Sequence, residues 1–302
     1  MPRDDGQDVA DARRGFLGTL EGGAVQGPRK RPARDMRPCA FLDAGTAPDS
    51  VNPGPWRQAR LNAIHGLFEV VPGVCQVRGP DLANMTLVEG ETGVILIDTL
   101  TSLETAEAVV DPADVASGKA PVIAPDRFLE EAVSENVAVG TAMLRRGHVQ
   151  LGHVLRPGPP GRVDNGPGKA TPMGAWALLA PNDLVRETGE TRTIDGVRFE
   201  FQMAPDTGAP AEMHIWAPDL EVLNMAENAC RNFHNLLPLR GAQVRNTLDW
   251  SGHINEAPAM WGDAAEGWSA GAAGPTGAMR GCASTWRSGA TSAGSCMTRR
   301  CG

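Results

Sequence analysis

Tyrosine is missing from this chain of 302 residues, and all aromatics together make up only 5% of it. With a hydrophobic fraction of 41%, its core is adequate rather than generous. The six Cys form no CxxC pair: Cys39, Cys75 and Cys230 are scattered, while Cys282, Cys296 and Cys301 crowd the last stretch. That spacing speaks against both a structural zinc site and a thiol redox motif. The opening "MPRDDGQDVADARRGFLGTL" has no apolar signal core, and no run approaches the length of a membrane span. As written the chain reads as cytoplasmic, or as periplasmic or secreted if an exporting segment lies upstream. Basic surplus is lacking too: a net charge of −8 argues against a general nucleic-acid binder, which needs a basic face.

The six His offer no metal-like spacing. His148 and His153 are five apart, ~140° around a helix, so one helix face cannot present both to an ion. His65, His214 and His253 read as structural or surface residues, and His234 as a cap or pocket lining. "DNGPGKAT", Asp164 to Thr171, resembles a phosphate loop only loosely, because it lacks the Walker spacing and follows no strand. No Ser-His-Asp arrangement can be drawn from spacing.

What is present falls into three regimes. Residues 1–60 are polar and irregular, and the basic stretch "GPRKRPARDMRP", Gly27 to Pro38, reads as a solvated loop or arm. Residues 61–263 behave as a folded domain. "LFEVV", "VCQVR", "NMTLVEG" and "GVILID" are β-rich runs between Pro-Gly, Gly-Pro and Glu-Thr-Gly turns. "DRFLEEAVSENVAVGTAMLRRG" predicts a helix from an N-cap at Asp126 to the closing Gly147. A Gly- and Pro-rich loop separates it from the strands "DLVRETG", "VRFEFQM", "EMHIWAP" and "EVLNMAE". The stretch from Leu239 to Gly262 reads as a closing helix. Strands, helix, strands, helix predict an α/β protein of two sheets with helices outside. Residues 264–302 contain no Leu, Ile, Val or Phe, show no apolar period, and read as a disordered tail unable to contribute a core element.

The blocks "NPGPWRQARLNAIHGLFEVVPGVCQVRG", "APDRFLEEAVSENVAVGTAMLRRG" and "MAENACRNFHNLLPLRGAQVRNTLDW" resemble the alkylsulfatase family. These are zinc hydrolases of the metallo-β-lactamase fold acting on linear primary alkyl sulfates, and the likeness runs with interruptions from about Asp8 to Asp263. The resemblance implies an αββα sandwich and two zinc ions, held largely by a His-x-His-x-Asp-His loop. Two ions ~3.5–4 Å apart can lower the pKa of a shared water and also hold the sulfate oxygens.

Against that pattern this chain is incomplete. "DTLTSLETAEA" matches the first half of a family block and "VVDPADVASGKAPVIAP" the part beyond the metal loop. Between Ala108 and Val109 a βα-sized unit of ~30 residues is absent, and with it the strand and loop that carry the main metal motif. Asp98, at the tip of "GVILID", then reads as the outer support of a loop the chain lacks. Gly208 stands where the family has a metal-binding Glu. Glu227, in "MAEN", matches a metal-bridging Glu, and Arg240 matches a sulfate-gripping Arg, whose planar fork suits an oxyanion. Asn228 is a further candidate for the substrate pocket, and Arg245 reads equally well as solvated.

The family's last metal His falls just beyond Glu266, where this chain reads "GWSAGAAGPTG". The final "CMTRRCG" can be encoded so that a one-base shift spells Leu-His-Asp-Glu-Thr-Leu-Arg, similar to a downstream family block. The family's helical dimerisation domain would follow that point, so its dimer is not expected. The expectations are an incomplete metallo-β-lactamase-like sandwich and an alkyl sulfatase-type hydrolase, primary alkyl sulfate plus water giving alcohol plus sulfate. The alternative is a catalytically dead remnant or a non-catalytic binder of sulfated amphipathic ligands.

Overall fold

A computed structural model describes residues 6–27, 31–109, 120–166, 168–229, 235–261 and 267–269. The 110–119 segment beside the expected deletion, His234, and the tail beyond 269 lie outside the described residues.

Five antiparallel strands form the first sheet, in the order β1 (Phe16–Gly18), β4 (Gly66–Val71), β5 (Val74–Arg78), β6 (Met85–Glu89) and β7 (Val94–Ile97). The second sheet runs β10 (Thr191–Ile194), β11 (Val197–Met203), β12 (Met213–Ala217), β13 (Val222–Asn224) and β14 (Gly267–Ser269). Alternation along the strands makes them face each other, because residues two apart share a face. Val74 and Val88, paired across β5 and β6, pack with Phe199, Phe201, Ala217 and Val222 in one apolar cluster between the sheets.

The opposite face of the second sheet carries Trp216 and Leu223, which are cross-strand partners. They pack on Trp250, Ile254, Ala257 and Trp261 of helix α6 (Thr247–Trp261). Helix α3 (Leu103–Glu107) lies against the hairpin of β2 (Ala24–Gln26) and β3 (Pro32–Asp35). The result is the mixed helix and sheet sandwich expected.

Several local expectations are corrected. Residues 1–60 are not an irregular arm. They contain α1 (Gln7–Arg13), β1, the β2–β3 hairpin and α2 (Pro53–Leu61), with Phe16 of β1 edge-on to Phe68 of β4 at 5.4 Å. Three-residue strands show no period in sequence; their backbone pairing holds them. The basic stretch is not wholly solvated either, since β3 carries Arg34 into the interior at 5% exposure. Strand β14 lies inside the tail expected to be structureless and adds parallel to β13. Edge pairing uses backbone groups and needs no apolar side chain.

The helix predicted from Asp126 starts after Arg127, whose φ of 64° takes the capping position. It divides into α4 (Phe128–Val133), a π-helical turn (Ser134–Ala138) and α5 (Gly140–Gln150). The closing helix begins at Thr247 rather than Leu239, where Asn246 Oδ1 accepts from the backbone N–H groups of Leu248 and Asp249. The His148 and His153 rings come within 5.4 Å, because the chain leaves helical geometry after Gln150. Strand β10 was missed. Its signal was "TIDGVRF": Asp195 and Gly196, at φ 46° and 83°, make a two-residue hairpin turn of the kind Asp-Gly favours.

The remaining parallel pair, β8 (Ile123–Pro125) with β9 (Asp183–Val185), forms a separate two-stranded sheet.

Candidate active site

Turns from both sheets meet at one end of the sandwich. The second sheet contributes the β11–β12 turn, Ala204 to Glu212, and the turn after β13, Met225 to Ala229. The first sheet contributes the β5–β6 loop, with Asp81, and the end of β7, with Asp98. Asp98 and Leu100 hold positive φ values of 67° and 66°, a region that residues other than Gly seldom occupy and that often marks functional turns.

Glu212 is the organising acid. Its Oε2 accepts from the Ala209 N–H at 2.8 Å and the Thr207 hydroxyl at 3.3 Å, and its Oε1 from the Glu227 N–H at 3.3 Å. One carboxylate thus ties the two second-sheet turns together. Burial first, then the nearby Glu227 charge, push the Glu212 carboxyl well above the usual range. Asp98 is raised to about 7 by desolvation, then by the charges of Glu227 and Asp81. Its own surface stays open to water, which screens part of that rise. Asp81 anchors the first-sheet side, accepting from Leu82 N, from Thr101 N and Oγ1, and from Thr105 Oγ1.

Gly208 sits between these acids. A Cβ there would lie 2.7 Å from Glu227 Cγ, 2.8 Å from Glu212 Oε2 and 2.9 Å from Asn228 Oδ1. The position therefore points into the acidic pair, and an acid there would make a third converging carboxylate. Asn228 is held in a hydrogen-bond framework beside Gly208. Its Oδ1 accepts from Gly208 N at 2.8 Å, and its Nδ2 donates to His214 Nε2 at 2.9 Å. His214 is buried on the outer face of the second sheet, its Nδ1 donating to Gln202 Oε1 at 2.8 Å. Gln202 Nε2 in turn donates to Glu256 of α6 at 2.7 Å. This chain of bonds fixes the neutral imidazole tautomer, and burial lowers the His214 pKa to about 3.

The two arginines sit in different surroundings. Arg240 is tied to Glu135 of the π-helical turn, Nη2 to Oε1 at 2.8 Å, while its N–H donates to Gln150. Arg245, read as equally well solvated, is 7% exposed and feels the charges of Glu227 and Glu212. Its Nε is buried without a partner, and desolvation lowers its pKa. The segment from 235 to 246 is not helical: Arg245 N donates to Leu236 O and Asn246 N to Asp206 O, folding the arginine inward. Glu212 was not singled out from sequence; "AEMHI" held its signal, an acid just where a strand starts.

The chain is 41% identical over 294 residues to the alkyl/aryl-sulfatase BDS1 of Saccharomyces cerevisiae, covering 87% of this chain and 46% of the relative. It is 40% identical over 296 residues to a linear primary-alkylsulfatase of a Pseudomonas species, covering 87% of this chain and 44% of that one. The solved structure of the stereoselective inverting sec-alkylsulfatase Pisa1 from Pseudomonas superimposes with a TM-score of 0.90 at 37% identity, over 96% of this chain and 51% of the other. The chain belongs to the alkylsulfatase family. It spans about half the length of the curated relatives it matches. No protein-family profile matches it. The yeast match is 294 positions long yet takes in 87% of 302 residues, about 263, so about 31 positions of that alkylsulfatase have no counterpart here.

The zinc pair implied by the family can be tested against the donor set. Among the described residues, no three His, Cys, Asp or Glu side chains come together as a metal ion requires. Both oxygens of Glu212 already accept hydrogen bonds, Gly208 supplies no ligand atom, and a stable zinc site needs about four ligands. The described residues do not fit a zinc pair.

Proposed function

We propose that this chain is built around the hydrolysis of alkyl sulfates, primary alkyl sulfate plus water giving alcohol plus sulfate, and that it retains the framework and substrate side of the site without a complete metal centre. The observation that carries this reading is the cradle at Gly208. Two turns of the second sheet hold Glu212 and Glu227 around a position with no side chain. About 31 unmatched positions in all, close to the ~30 expected to be missing between Ala108 and Val109, support the same reading.

In this account Arg245 is the primary holder of the sulfate group, since its buried Nε has no other partner. Arg240 serves at the rim, where its charge is shared with Glu135. Asp98, open to water and raised towards neutrality, is the described group best suited to exchange a proton near pH 7. Zinc would supply an activated water and a Lewis acid in a complete relative. Here Glu227 is the described residue that matches a family ligand. No described helix is long and apolar enough to cross a membrane.

The test is sulfate release from dodecyl sulfate by the full chain, with zinc measured on the same sample. Substoichiometric zinc and turnover far below that of a full-length relative are the expected result. Restoring the 31 positions together with Gly208→Glu should raise both. Stoichiometric zinc with full turnover in the unaltered chain would overturn the incomplete centre. Failure of the restored chain to hydrolyse any alkyl sulfate would overturn the hydrolase reading and leave a non-catalytic binder.

A further inference from the structure

Away from the acidic turns, β3 delivers Arg34 into the protein with no partner for most of its head. Nη1 donates to the Ala170 carbonyl at 2.8 Å. Nε and Nη2 are buried and have no hydrogen-bond partner among the described residues. Those two atoms form the side-on fork with which a guanidinium receives two oxygens of an oxyanion. A buried charge left in this state is strongly unfavourable, so the geometry asks for an acceptor.

The acids whose charges Arg34 feels, Asp81 and Asp164, are engaged elsewhere. Asp164 accepts from Lys169 Nζ at 2.9 Å, Asn62 Nδ2 at 3.1 Å and Gly166 N at 2.7 Å. Asp81 is held by Leu82, Thr101 and Thr105. Cys39, a thiol, is the one further acid whose charge acts on Arg34, and the other neighbours are basic or titrate as bases. Arg162 acts on both Arg34 and His153, Arg34 itself acts on Lys169, and His153 Nε2 meets Thr171 Oγ1 at 3.1 Å. In the same "DNGPGKAT" stretch that looked only loosely like a phosphate loop, both amide atoms of Asn165 are buried without a partner.

We propose that Arg34, with the charge of Arg162 acting beside it, forms a binding site for a small oxyanion, two of whose oxygens are received by the Nε–Nη2 fork. The site is separate from the acidic turns beside Arg245, because the groups around Arg34 come from β3 and the 162–171 stretch. Sulfate, phosphate and a carboxylate share the required pair of oxygens.

Equilibrium dialysis of the full chain with radiolabelled sulfate is the direct test. One saturable site per chain is expected, weakened about tenfold or more in Arg34→Gln, where the charge-assisted fork is gone. Arg34→Lys keeps the charge without the fork and should bind at intermediate strength. Arg162→Gln, at a partly exposed position, leaves the interior intact and should weaken binding by about threefold, as a screened charge does. Displacement by phosphate alone assigns the site to tetrahedral anions, and displacement by acetate as well assigns it to oxyanions generally; either upholds it. Absence of saturable binding overturns the proposal. So does sulfate binding that survives Arg34→Gln and is lost in Arg245→Gln, because the anion then sits at the acid-lined turns.

Discussion

The second sheet is covered on both faces, whereas the first ends on a strand with one neighbour. Trp216 and Leu223 of the second sheet are packed under α6, and Phe199 and Phe201 fill the space between the sheets. In the first sheet, β7 pairs only with β6 among the described residues, and its Val94 is 59% exposed. The inner face of that sheet also turns polar towards the site. Arg78 Nε donates to Gln76 Oε1 at 2.7 Å, Gln76 donates to Thr86, and the guanidinium lies over the Phe68 ring at 4.5 Å. The half of the site built on the covered sheet keeps its hydrogen-bonded turns.

The comparison can be broken most directly at Trp250. Trp250→Ala removes a buried indole between α6 and the second sheet, together with its Nε1 bond to the Asn228 carbonyl. A loss of about 3–5 kcal/mol is expected from urea unfolding. A loss under about 1 kcal/mol, the size typical of a surface change, would show that α6 does not hold the covered sheet.

Gly208→Glu comes next. Overpacking and a third acid should cost about 1–3 kcal/mol without metal, and zinc should recover part of that loss in a thermal melt. A variant as stable as the parent and indifferent to zinc would remove the acidic cradle from consideration.

His214 provides a pH test. Its folded pKa, about 3, lies below the ordinary 6.5, so the unfolded chain binds the extra proton first. This contribution to stability is complete above pH 6.5. It is lost as pH falls towards 3, at up to about 1.4 kcal/mol per pH unit. His214→Gln should flatten that part of the stability–pH curve, and an unchanged slope would contradict the buried neutral imidazole.

The smallest effect belongs to Arg240→Gln. Its pair with Glu135 is partly solvated, so stability should change by about 1 kcal/mol or less. A larger loss would mean that this rim, rather than the covered sheet, organises the site.

Much of the frame was legible in the residues. The runs that became β4 to β7 and β11 to β13 carry β-branched and aromatic residues between Gly and Pro turns, and that pattern survives any tertiary context. The resemblance placed Glu227 and Gly208 together in ancestry, and the fold brings them within contact distance. Arg34 and Arg245 were illegible because each sits in a polar, irregular stretch. Burial there depends on what folds over it: the 162–171 loop in one case, the bond from Asn246 to Asp206 in the other.

Sequence alone determined which strands could form and where their turns fall, because these follow from local composition and turn residues. Only the tertiary structure decided that Arg245 rather than Arg240 faces the acids, that Asn228 is bound up in a hydrogen-bond chain with His214, and that Arg34 lies buried with its fork empty. A side chain's partners come from segments far away along the chain, and no local pattern records which of them will arrive.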